Sequence, residues 1–206
     1  SRGRFKSLKN KLALYFKGGP ALFAEEAIDV VIGTQPSGQG HETSFAQVAA
    51  QYLGVPFECV AIIYGDTDIV SAGGGSHSGR SMRMAGTVIV KAAEAIIAKG
   101  RAIAAKAFDV AVDAIEFADG YFRVTDTNRA MDLFQAAGHA TLSCVEDNEM
   151  HTQVFPNGCC VCEIEVDPQT GAVQITRYAT VDDVGRAIDV EVRDHAHRHD
   201  MLDRLG

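Results

Sequence analysis

Gly33-Thr34-Gln35-Pro36-Ser37-Gly38-Gln39-Gly40-His41-Glu42-Thr43 and, further along, Gly73-Gly74-Gly75-Ser76-His77-Ser78-Gly79-Arg80-Ser81 decide how this chain is read. Each stretch is a glycine-rich loop that leads into a helical pattern. Glycine admits positive φ and lets a ligand approach the main chain. A helix start adds unpaired N–H groups and partial positive charge, which favour an anion. Two such loops in one short stretch predict one anionic, polar ligand held from two sides.

The segments around the loops alternate between helix and strand. Phe45, Val48, Ala49, Tyr52 and Leu53 repeat at helical spacing, so Glu42 to Leu53 is predicted as a helix, stopped at Gly54 and Pro56. Cys59 to Tyr64 reads as a strand that leaves through Gly65-Asp66-Thr67-Asp68. Behind the second loop, Arg80 to Phe108 is the longest helical pattern, with an apolar stripe of Val88, Ala92, Ala95, Ile96, Ile103 and Phe108. Gly86 and Gly100 inside it predict close packing or a kink. Upstream, alternation at Leu12, Leu14 and Phe16 predicts a strand through Tyr15, and Ala27 to Ile32 a buried strand. Downstream, Ala114 to Val124 predicts a hairpin turning at Asp119-Gly120, and Asn128 to Ala137 a short helix. Gly158 to Val166 and Ala172 to Val181 predict a second hairpin, with Cys159, Cys160 and Cys162 as buried strand cysteines. The fold class is α+β (mixed α/β): long helices packed on a mixed sheet, with a C-terminal β-hairpin.

Composition sets wide limits. At 206 residues and 47% apolar, the chain can bury a real core. A net charge of −8 argues against nucleic-acid binding. No apolar run is long enough for a membrane span, and the five irregularly spaced cysteines do not resemble a secreted disulfide framework. The expected location is cytoplasmic.

The ordered motifs resemble the molybdenum hydroxylases: the xanthine dehydrogenase, aldehyde oxidase and aerobic carbon monoxide dehydrogenase family. The match is to the large, molybdopterin-binding subunit. It rests on Gly33-Thr34-Gln35, Gly38-Gln39-Gly40-His41-Glu42-Thr43 and Phe45-Ala46-Gln47. It continues through Leu53-Gly54-Val55-Pro56, Gly65-Asp66-Thr67-Asp68, the second loop with Arg80-Ser81, Ala85-Gly86 and Val181-Asp182-Asp183-Val184-Gly185-Arg186. A lone Gly-Gln-Gly carries little information, whereas the ordered set is specific. The resemblance implies a partial molybdopterin-binding domain over residues 1–190 and an atypical tail over 191–206. Against the family's strand–turn–strand, the join between Phe23 and Asp29 looks short.

The resemblance also assigns candidate residues. Gln39 would point its amide at an oxo ligand of molybdenum, offering donors without charge. Gly38, Gln39, Gly40, Ser76, Ser78, Gly79, Arg80 and Ser81 would cradle the cofactor. Ser78 precedes Gly79 where the family has glycine before serine, so individual bonds of that loop need not carry over. Each has a plainer reading: an ordinary loop glutamine, or a serine helix cap. No protein side chain is expected to ligate metal, because the pterin's dithiolene sulfurs hold it. His41 and Glu42 read as helix-start residues, Asp66 and Asp68 as turn caps.

The implied activity is oxidation of aldehydes, N-heterocycles or carbon monoxide with oxygen from water. The implied cofactor is molybdopterin, in its cytosine dinucleotide form, with molybdenum. The implied partners are subunits carrying [2Fe-2S] clusters and FAD, in a dimer of heterotrimers. The family's base glutamate, in a glycine-flanked motif well beyond the Asp-Val-Gly-Arg segment, has no counterpart, since Glu191 follows too soon. The isolated chain is therefore expected to be inactive. A generic phosphate- or nucleotide-binding domain and a non-catalytic remnant are the rival readings.

Overall fold

A computed structural model describes residues 10–18, 26–70, 73–77, 79–149, 155–185 and 188. The tail at 191–206 lies outside the described residues.

The main sheet contains β1 (Asn10–Gly18), β2 (Glu26–Ile32), β3 (Val60–Ile63) and β7 (Ser143–Asn148), in the order β3-β2-β1-β7. β1 runs antiparallel to both β2 and β7, while β2 and β3 are parallel. The sheet is therefore mixed. β1 and β2 pair from Leu12↔Ile32 to Gly18↔Glu26, and residues 19–25, which include the start of the join that looked short, lie outside the described residues. Parallel neighbours require a crossover, and α1 (His41–Leu53) supplies it between β2 and β3. α2 (Arg80–Phe108) packs beside α1 and across β1 and β7.

The periodicity of α2 accounts for its burial. Val88, Ile89, Ala92, Ala93 and Ile96 are closed off from solvent. They meet Ile28, Val30 and Ile32 of β2 and Phe45, Ala49 and Leu53 of α1 in one core. Full burial of each large aliphatic side chain stabilises by about 1.5–3 kcal/mol. Gly100 marks close packing rather than a kink: a Cβ there would lie 2.2 Å from the ring of Phe122.

A second, three-stranded sheet runs β4 (Ile115–Ala118), β5 (Tyr121–Val124), β6 (Ala130–Asp132). β4 and β5 turn at Asp119 (φ 50°) and Gly120 (φ 79°), the two positive values of a tight hairpin turn. The short helix predicted over 128–137 begins later. Ala130–Asp132 pairs with β5, and α3 (Leu133–His139) starts after it. Its start is fixed by a capping box in which Gln135 N donates to Asp132 Oδ1 (2.7 Å) and Asp132 N donates to Gln135 Oε1 (2.9 Å).

β8 (Asn157–Val166) and β9 (Val173–Asp183) form the C-terminal antiparallel hairpin. Here the expectation of buried cysteines is corrected. Every residue of β8 is exposed, Cys159, Cys160 and Cys162 included. A two-stranded ribbon has no covering layer of its own, so neither face is closed. By contrast Cys144 on β7 is buried in the core, where its Sγ lies 3.4 Å from Ala92 O. Among the described residues no helix is long and apolar enough to cross a membrane.

Candidate functional site

Both glycine-rich loops leave the sheet at one edge. The first follows the C-terminal end of β2 and the second the segment after β3, and those strands are parallel neighbours. In open α/β arrangements, ligands bind in the crevice outside the carboxyl ends of parallel strands.

Hydrogen bonds link and shape the loops. Gly74 N donates to Gly33 O at 2.8 Å. Thr34 Oγ1 and Ser81 Oγ lie 2.6 Å apart, both side chains buried. Gln39 Nε2 donates to Ser76 Oγ at 2.7 Å, and Ser37 N donates to Gln39 Oε1 at 2.5 Å. The Gln39 amide is thus oriented at both ends, and its second hydrogen has no acceptor among the described residues. Gly73 must be glycine for this approach, because a Cβ there would sit 2.3 Å from Gly33 O.

The two helix starts are alike. α1 is capped by Gly40 (φ 68°) and α2 by Gly79 (φ 65°), both left-handed, and neither has a side-chain cap. The serine-cap reading of the second loop therefore does not hold for α2. Among the described residues the first-turn N–H groups of α1 have no side-chain acceptor, while in α2 Arg80 N already donates to His77 O at 2.9 Å; open N–H groups at a helix start suit an anion. Arg80 Nη1 donates to Gly75 O at 2.8 Å, which folds its guanidinium over its own loop. No carboxylate lies in 33–40 or 73–80. The nearby Asp66 serves its own turn, with Oδ1 accepting from Asp68 N at 2.9 Å. Glu42 accepts from Tyr64 Oη at 2.8 Å, and that bond raises the phenol's pKa.

The structure thus gathers Gly38, Gln39, Gly40, Ser76, Gly79 and Arg80 about the two loops. Ser78 lies outside the described residues. The Ser81 hydroxyl is buried against Thr34. Thr34 and Ser37 were quoted in the motif without a role, and their signal was only adjacency to glycine. Among the described residues no group of three or more His, Cys, Asp or Glu is placed to hold a metal ion.

His41 opens α1 with its ring stacked on Phe45 (centroids 4.8 Å apart) and its buried Nδ1 without a partner among the described residues. Burial lowers its pKa, and Glu42 opposes this only in part. The native state then binds the proton less readily than the unfolded chain, whose imidazole titrates near 6.5. Stability is complete above that value and falls as pH drops from it toward the lower native pKa. Urea midpoints should therefore decline below about pH 6.5, and His41→Phe should flatten that decline. An unchanged slope would contradict a neutral, buried His41.

The molybdopterin cofactor-binding domain family matches residues 21–195. The chain belongs to this family, the cofactor-binding domain of the molybdenum hydroxylases. It is 31% identical over 193 residues to the gamma subunit of the 6-hydroxypseudooxynicotine dehydrogenase complex of Paenarthrobacter nicotinovorans, covering 88% of this chain and 24% of that protein. It is 31% identical over 169 residues to the carbon monoxide dehydrogenase large chain of Hydrogenophaga pseudoflava, covering 77% of this chain and 21% of that one. Among solved structures, Cu,Mo-CO dehydrogenase superposes with a TM-score of 0.77 at 26% identity, over 92% of this chain and 24% of that chain. Quinoline 2-oxidoreductase from Pseudomonas putida 86 shares the fold, with a TM-score of 0.75 at 24% identity over 93% of this chain and 25% of that one. The chain thus spans about a quarter of the length of these relatives.

Proposed function

We propose that this chain forms one wall of the molybdopterin site in the large subunit of a molybdenum hydroxylase. The observation that carries the reading is the pair of glycine-capped helix starts on one sheet edge, tied through Gln39 and Ser76. The residues fit the group. Helix starts that offer main-chain N–H groups, a guanidinium, and the lack of a carboxylate in 33–40 and 73–80 suit a phosphate-bearing pterin. Gly38 and Gly79 leave open space where a Cβ would stand, so the main chain can be approached closely.

In this reading Gly38, Gly40, Ser76, Ser78, Gly79 and Arg80 hold the cofactor, in its cytosine dinucleotide form. Ser81 contributes its main-chain N–H. When bound, the cofactor supplies oxidation of aldehydes, N-heterocycles or carbon monoxide with oxygen taken from water. Gln39 donates its second amide hydrogen to an oxygen of the cofactor and is held for that task by Ser37 and Ser76. Iron–sulfur and FAD subunits are the electron-accepting partners, in a dimer of heterotrimers, and the assembly is cytoplasmic.

Gln39→Ala in the assembled enzyme tests this role. Many other contacts hold the pterin, so turnover should fall about 10- to 100-fold, the value of one hydrogen bond to a charged group, while cofactor content changes little. A parallel collapse of molybdenum content, or no change in turnover, would contradict the assignment.

A further inference from the structure

We infer that Thr34 and Ser81 are a positioning pair that sets the gap between the two loops, an inference that rests on the cofactor reading above. The two hydroxyls lie 2.6 Å apart though 47 residues separate them in sequence, and each side chain is only 2% exposed. Thr34 is the second residue beyond β2, and Ser81 is the second residue of α2. Their bond therefore ties the exit of one loop's strand to the helix that the other loop feeds. Immediately before Thr34, Gly33 O accepts from Gly74 N, and Gly73 approaches the same carbonyl so closely that no Cβ fits. The Gln39–Ser76 bond at the exposed surface competes with water. The Thr34–Ser81 bond, shielded from water, does not. It is the anchor from which the exposed contacts are registered.

A buried hydroxyl that loses its partner is costly, whereas removing both partners is nearly neutral for stability. This separates positioning from mere stability. Amide hydrogen exchange over residues 33–40 and 73–77 is measured for the whole chain as wild type, Thr34→Ser, Thr34→Val and Thr34→Val/Ser81→Ala, alongside melting and pterin retention. Thr34→Ser should exchange at the wild-type rate. Thr34→Val should speed exchange at 73–77 about tenfold, the net value of one hydrogen bond. The double variant should recover most of the melting temperature yet keep the fast exchange, and should retain at least about tenfold less pterin. If Thr34→Val fails to fold, the double variant decides. Wild-type exchange in the double variant would overturn the positioning role. A wild-type chain that binds no pterin would overturn the cofactor reading alone, since the exchange measurement needs no ligand.

Discussion

Gly73→Ala should cost this chain its ligand while leaving its core intact. The added Cβ would lie 2.3 Å from Gly33 O and 3.0 Å from Gly33 C, and both are backbone atoms that no side-chain rotation can move. The second loop must retreat, which breaks the Gly74–Gly33 bond and draws Ser76 from Gln39. Overpacking of this kind costs about 1–3 kcal/mol, and spent on loop geometry it weakens a ligand held by both loops about 5- to 150-fold. Gly75→Ala is the control. It sits in the same loop, and its Cβ would meet only His77 Cδ2 at 3.4 Å. Titration with isolated molybdopterin should show near wild-type affinity for Gly75→Ala and weak binding for Gly73→Ala. Equal affinities would show that the close approach of the loops is irrelevant to binding.

A large loss of stability should come from Gly100→Ala. In an exposed helix this exchange stabilises by about 1 kcal/mol. At Gly100 the sign should reverse, because the Cβ would stand 2.2 Å from Phe122 Cζ and that ring is fully buried. Either α2 lifts from β5 or Phe122 leaves its place, at a cost of about 3 kcal/mol. For a chain of this size that lowers the melting temperature by roughly 6–12 °C. Gly86→Ala on the same helix should be neutral or stabilising, since its nearest neighbour is the flexible end of Met82 at 3.4 Å. Gly100→Ala/Phe122→Leu should regain part of the loss. A Gly100→Ala melt at or above wild type would contradict the packing of α2 on the second sheet.

The parts of the fold legible in the sequence were those with a local cause. The stripe of α2, the stop at Gly54 and the Asp119-Gly120 turn each follow from residues close together in the chain. β7 was not predicted, because Ser143-Cys144-Val145-Glu146-Asp147-Asn148 has no clear alternation, and its strand state comes from pairing with β1. The start of α3 was misplaced although Asp132 and Gln135 carry a capping-box pattern, because Ala130–Asp132 is claimed by β5. The exposure of Cys159, Cys160 and Cys162 is not legible in the sequence, because a strand's burial depends on a covering layer that the strand's own residues do not specify. At the site, the glycines and Gln39 were visible as a motif. The Thr34–Ser81 contact was not, since only the fold brings together two hydroxyls so distant in sequence.

The most direct test is amide hydrogen exchange on the whole chain with and without added molybdopterin. If both loops hold one ligand, protection should rise together over residues 33–44 and 73–84 and nowhere else to a comparable degree. Protection of only one loop, of neither, or chiefly of the β8–β9 hairpin would contradict a shared cofactor site at this edge of the sheet.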